Sequence, residues 1–153
     1  MPANLRNDNA EKQYPQSIGG RKGYVTNNRV GLVDWSVAAE SSNAIAVTAQ
    51  LKRLNAHDNL DGPNVVTFRL YEDTSYTLCS YIIAATGAPR YTMSVTTGTL
   101  ISDTENIVID VISDTDGTFI ITVTDDSAAA TDTVYLGIEC GEYFSISPAI
   151  TFA

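Results

Sequence analysis

The sequence is poor in the residues that most catalysis uses. Among 153 residues it has one histidine, one tryptophan and two cysteines. The histidine, His57, sits in Asn55-Ala-His-Asp-Asn59, a polar stretch that reads as a loop. A triad needs a nucleophile, a base and an orienting group within reach of one another. No Gly-x-Ser-x-Gly elbow accompanies this histidine. Cys140 follows an apolar stretch but lies far from His57 in the chain, which argues against a Cys–His dyad. Gly19-Gly20 and Gly87 lack the strand-to-helix setting of a phosphate loop. The expectation is a protein that is not an enzyme and has no cofactor and no metal.

Positive charge is missing from the second half. From Tyr91 to Ala153 there is no Lys or Arg, against ten acidic residues. The first thirty residues carry five basic groups (Arg6, Lys12, Arg21, Lys22, Arg29) and two acids, a net +3. The remainder has four basic and sixteen acidic residues, a net −12. A surface of that sign repels nucleic acid and anionic membranes, so neither is an expected partner. Five scattered basic residues do not make a polybasic cluster.

Long apolar runs are also absent, and none approaches a membrane span. The first residues, Met-Pro-Ala-Asn-Leu-Arg-Asn-Asp-Asn-Ala, hold no apolar core of a secretory signal. The two cysteines show no metal-ligand spacing. Two reduced, partly buried thiols is the plainer expectation, and one bridge between strands is the alternative.

What the sequence has is alternation of period two. Ile45, Val47, Ala49 and Leu51 alternate with Ala46, Thr48 and Gln50, and Val66, Phe68 and Leu70 with Thr67 and Arg69. The pattern returns at Ile107–Val111, Phe119–Val123 and Val134–Ile138. Tyr91–Val95, Gly98–Ile101, Tyr143–Ile146 and Ala149–Phe152 read as shorter strands, and Leu78–Ala85 as a more apolar one. Strands at this spacing, rich in Thr, Val and Ile, predict an all-β chain. The expected fold is an immunoglobulin-like antiparallel β-sandwich with an extended N-terminal arm.

The arm is expected over 1–35 and the sandwich over 36–153, with Ser36–Ser42 as a linker. Residues 1–22 show neither helical nor strand period, and Gly23–Trp35 holds two apolar stretches that could form a hairpin or strap. Tyr14, Ile18, Arg21, Lys22, Tyr24, Arg29 and Trp35 are the candidate partner-contact residues. The closing strand, Ile150-Thr-Phe-Ala153, is expected to be locked in the sheet, which leaves reaching out to the opposite terminus.

The acids fall in turns, where Asp normally bonds its own backbone. Asp114-Thr-Asp-Gly117 resembles the start of a calcium loop, but the later ligands and closing Glu are missing. A hairpin turn with Gly117 at positive φ is the better fit. Asp125-Asp126-Ser127 with Asp132 is a weaker cation candidate. Eight tyrosines could serve interfaces or stack on sugars, although core and rim roles account for most.

Several stretches resemble a family of small β-sandwich structural proteins of tailed bacteriophages: Ser42-Asn-Ala-Ile-Ala-Val-Thr-Ala-Gln-Leu51, Val65-Val-Thr-Phe-Arg-Leu-Tyr71, Thr96-Thr-Gly-Thr-Leu100, Thr115-Asp-Gly-Thr-Phe119, Ile121-Thr-Val-Thr124, Asp132-Thr-Val-Tyr-Leu136 and Ser147-Pro-Ala-Ile-Thr-Phe-Ala153. The resemblance spans about residues 42–153 and departs at the long Leu78–Arg90 segment. It implies a virion component made in the bacterial cytoplasm: a head decoration or cement protein on the capsid surface, a head fibre, or a tail module. The implied partners are the major capsid protein lattice and further copies of the chain, a homotrimer being favoured by local symmetry. The alternative is a fibre or receptor-binding module that recognises host carbohydrate through Asp58, Asn59, Tyr76 and Tyr81.

Overall fold

A computed structural model describes residues 29–54, 58–80, 87–127 and 131–153. Ten strands make up its regular structure, and the described residues contain no helix. In chain order they are β1 (Val30–Val37), β2 (Ala44–Arg53), β3 (Val65–Tyr71), β4 (Tyr91–Thr97), β5 (Thr99–Thr104), β6 (Val108–Ile112), β7 (Thr118–Asp125), β8 (Asp132–Cys140), β9 (Tyr143–Ile146) and β10 (Ile150–Phe152).

The alternation read from the sequence decides which side of each strand is buried. Ile45, Val47, Ala49 and Leu51 of β2 are buried, as are Phe119, Ile121 and Val123 of β7. Val66, Phe68 and Leu70 of β3 face inward with Val134, Leu136 and Ile138 of β8. These residues form one core between two sheets. Phe68 and Phe119 meet across it edge to face, with ring centroids 5.2 Å apart. Such cores fix register, because a slip of one residue would turn every apolar side chain outward.

All strand pairs are antiparallel. The smaller sheet has the order β1-β2-β7-β4. The larger has the order β9-β8-β3-β6-β5, with β10 also on β8. The orders β1-β2-β7-β4 and β9-β8-β3 repeat the two sheets of an immunoglobulin sandwich. The extra pair β5 and β6 extends the larger sheet beyond β3, but it follows β4 in the chain rather than preceding it. Gly98 makes that crossing. Its φ is 108°, and a Cβ there would lie 2.8 Å from the Ile112 carbonyl oxygen. A side chain is excluded both by the backbone angle and by space.

Among the described residues, register irregularities occur only on edge strands. They fall at Val30/Leu32 in β1, Val95/Thr97 in β4 and Leu100/Ser102 in β5. The fourth lies between β9 and β10, where residues 147–149 oppose only 135 and 136 of β8. Ser147 closes that gap: its Oγ accepts from the Leu136 N–H at 3.0 Å and its own N–H donates to the Leu136 carbonyl. Bulges at edges twist them away from further pairing.

The boundary expected after Trp35 falls inside β1, which is a full member of the smaller sheet from Val30 to Val37. Of the arm expected over 1–35, residues 1–28 lie outside the described residues, as do His57, Tyr81 and most of the Leu78–Ala85 run.

Candidate functional site

Three places on the domain gather chemistry-bearing residues. The first is the flank where the chain enters β1. Leu54 N–H donates to the Arg29 carbonyl at 2.9 Å, which ties the start of β1 to the end of β2. Beside it opens a cleft of about 700 Å³, bordered by Arg29, Leu54, Asn64, Glu142 and Tyr143. Cys140 forms part of its wall, and burial pushes that thiol's pKa up. A thiol shifted that way stays protonated at neutral pH and is a poor nucleophile.

Of the seven expected contact residues, Arg29 and Trp35 are described; Tyr14, Ile18, Arg21, Lys22 and Tyr24 lie outside the described residues. Arg29 is exposed at the mouth of the cleft. Trp35 is half-buried: it packs against the protein's own core and its Nε1–H donates to Ser145 Oγ at 2.9 Å. It pins β1 of one sheet to β9 of the other. The sequence placed Trp35 outside the strand train only because the polar stretch after it looked like a linker.

The second place is the set of acidic turns. Asp114 Oδ1 accepts from the N–H groups of Asp116 and Thr118, and Gly117 has φ of 80°. The tight turn with Gly117 at positive φ is as expected, but it is not a hairpin: β6 and β7, which it joins, lie in different sheets, so the turn carries the chain across the core from one sheet to the other. Thr118 Oγ1 donates to Asp116, and that bond holds the Asp116 carboxyl below its ordinary range. Asp125 is buried and accepts from both the N–H and the hydroxyl of Ser127. Asp132 takes the Arg90 guanidinium and the Tyr91 hydroxyl on one oxygen. Burial and that hydrogen bond push the Tyr91 pKa up. Among the described residues no three His, Cys, Asp or Glu side chains gather in a way that could hold a metal ion. The acids are engaged in turns and in tying β8 to β4.

Both cysteines are free thiols. Burial, with Glu72's negative charge behind it, pushes Cys79 up to about 12.

The third place is on the outer face of the larger sheet, where Tyr71 of β3, Phe144 of β9 and Tyr76 of the following loop form a ring cluster. Tyr76 lies 5.7 Å from Tyr71 and 5.1 Å from Phe144, both edge to face. Tyr71 is buried, whereas Tyr76 is 52% and Phe144 36% exposed. Gly137 of β8 is the floor: a Cβ there would come within 2.5 Å of the Tyr71 ring and 3.1 Å of the Phe144 ring. A strand glycine commonly marks such a close approach. Beside the rings Arg69 Nε donates to Glu139 Oε2 at 3.3 Å. Burial raises the Tyr71 pKa, with Arg69 working against it and Glu139 adding to it. Tyr76 alone of this cluster was singled out from the sequence. Gly137, within Val134-Tyr-Leu-Gly-Ile138, was the signal for the rest.

The loop residues of the carbohydrate alternative are only partly free to bind. Asp58 pairs with Arg53 at 3.2 Å and Asn59 accepts from Lys52 at 3.0 Å. Comparisons of the chain with protein-family models, with curated proteins and with solved structures find no match. The resemblance to phage structural proteins therefore stands on the short β motifs alone.

Proposed function

We propose that this protein is a non-enzymatic virion structural protein, a capsid decoration protein that binds the outer surface of a phage head through its N-terminal residues. The observation that carries the reading is the charge division across the root of β1. A segment of net +3 leads through Arg29 to a cleft on one flank of a domain of net −12. The antiparallel sandwich supplies a rigid body, and Trp35 holds its two sheets together at that flank. An arm that orders on a repeating lattice can bridge neighbouring subunits and gains avidity from repetition. The acidic body then faces solvent and keeps particles apart. Copies grouped at local symmetry axes would form trimers.

The test uses capsids purified without the protein. Full-length chain should co-sediment with them and raise their resistance to heat. A variant beginning at Arg29, checked for an unchanged melting transition, should bind at least a hundredfold more weakly. Equal binding by that variant would rule the reading out.

A further inference from the structure

We infer that the outer face of the larger sheet binds an extended neutral oligosaccharide, with Tyr76 and Phe144 as the stacking platform and a row of polar side chains as the hydroxyl-recognising track. The row follows from strand register. Phe144 of β9 stands opposite Glu139 of β8, Glu139 opposite Thr67 of β3, Thr67 opposite Asp110 of β6, and Asp110 opposite Ser102 of β5. Directly opposed residues share one face of a sheet, so all five project outward together. Successive strands lie about 4.8 Å apart, close to the length of one pyranose unit. A linear sugar laid across the strands therefore meets one side chain per ring.

The chemistry of the row fits sugar hydroxyls. Glu139 and Asp110 accept, Thr67 and Ser102 accept on their free lone pairs, and Arg69 donates, which suits the many hydroxyl donors of a sugar. Thr67 Oγ1 and Ser102 Oγ each already donate to Asp110, at 2.6 Å, so the track is oriented before any ligand arrives. At one end the apolar face of a pyranose can lie on an exposed ring. The ring itself is held in place by a built loop. Asp73 Oδ1 accepts from the N–H groups of Ser75 and Thr77, and the Glu72 N–H donates to the Thr77 carbonyl at 2.8 Å. Between them Tyr76 is forced to φ of 68°. A bulky residue in that region is an outlier, and such outliers gather at binding sites.

Charge and size select the occupant. The two carboxylates of the row, on a body of net −12, disfavour an anionic ligand. Two exposed rings and one track fall far short of the roughly twenty residues a side that a standard protein interface takes. This inference does not depend on the capsid reading, since its test uses the isolated protein.

The experiment is an NMR titration of the full chain with cellotetraose, chitotetraose, maltotetraose and one sulfated tetrasaccharide. At least one neutral sugar should give saturable shifts at Tyr76, Phe144, Thr67 and Ser102. Tyr76→Gly, which removes the ring but suits the backbone angle, should weaken binding at least tenfold, as should Phe144→Ala. Thr122→Val, on the opposite face, should bind normally. The inference fails if no neutral sugar binds at millimolar concentration. It fails equally if the sulfated sugar binds best, or if binding survives loss of both rings.

Discussion

The two outer faces of the sandwich are built on the same alternation and cover the same core, yet they carry different chemistry. The smaller sheet presents mainly hydroxyls and short side chains, Ser36, Ala46, Thr48, Thr92, Ser94, Thr122 and Thr124, with Asp34, Gln50, Lys52 and Ile120 among them. Their contacts with one another are weak, the Thr96–Thr122 hydroxyl pair being 3.4 Å apart. Strand propensity accounts for nearly all of that face, since Thr suits a pleated, half-exposed surface. Both sheets have a glycine within a strand and an ion pair, Gly31 and Asp34–Lys52 on the smaller and Gly137 and Arg69–Glu139 on the larger. Among the described residues the larger sheet differs in gathering three rings over its glycine and in continuing from β3 into a loop with a tyrosine at positive φ. Neither the glycine nor the positive-φ tyrosine helps a strand to form. Local rules are commonly broken where a protein does something besides fold.

The strongest way to break this contrast is to overfill the floor of the ring cluster. Gly137→Val would drive methyl groups into Tyr71, which is buried, and into Phe144. The expected cost is roughly 2–3 kcal/mol, typical of an overpacked site. The matching change on the other face, Thr122→Val, should stay within about 0.5 kcal/mol of the parent. Urea denaturation of both variants checks this. Equal losses would mean that the two faces differ in composition only.

A smaller effect separates folding from binding at Tyr76. Holding a non-glycine residue in the left-handed region costs roughly 1–2 kcal/mol. The ring regains about 0.5–1.5 kcal/mol from its aromatic neighbours. Tyr76→Gly should therefore leave stability within about 1 kcal/mol of the parent, because a glycine also enlarges the unfolded ensemble. A thermal melt read beside the sugar titration checks this. A large loss of stability would make the tyrosine a structural prop.

The contrast between the faces was only half legible in the sequence. Period-two alternation marked β2, β3, β6, β7 and β8, and Asp116-Gly117 marked a tight turn, because these signals are local. That the turn crosses between sheets instead of closing a hairpin was not legible, because sheet membership is set by distant partners. The ring cluster was hidden because Tyr76 and Phe144 are far apart in the chain and meet only through the β3–β8–β9 register. Likewise β5 pairs with β6 but reaches the larger sheet directly from β4, a crossing that only Gly98 signals. At β1 the polar residues after Trp35 looked like a linker, although Val33, Trp35 and Val37 already had the alternation of a strand facing Leu51, Ala49 and Val47.

The smallest effect concerns the far end of the polar row and its dependence on pH. The Ser102 hydroxyl first, then the Thr67 hydroxyl, holds the Asp110 carboxyl below its ordinary range, while partial burial works against them. The folded carboxyl thus titrates below the 3.8 of an unperturbed aspartate. Stability from this source is fully present above the unfolded value and is lost as pH falls through the folded one. Asp110→Asn removes the titration and weakens both hydroxyl contacts. The expected cost at neutral pH is about 0.5 kcal/mol, in the range of exposed charged contacts. That difference should shrink as the pH drops through the acid limb, where the parent loses its charge as well. Urea midpoints of parent and variant at neutral and strongly acid pH measure it. Parallel curves at every pH would show that Asp110 is solvated like any turn carboxylate, and that the row is not organised before a ligand reaches it.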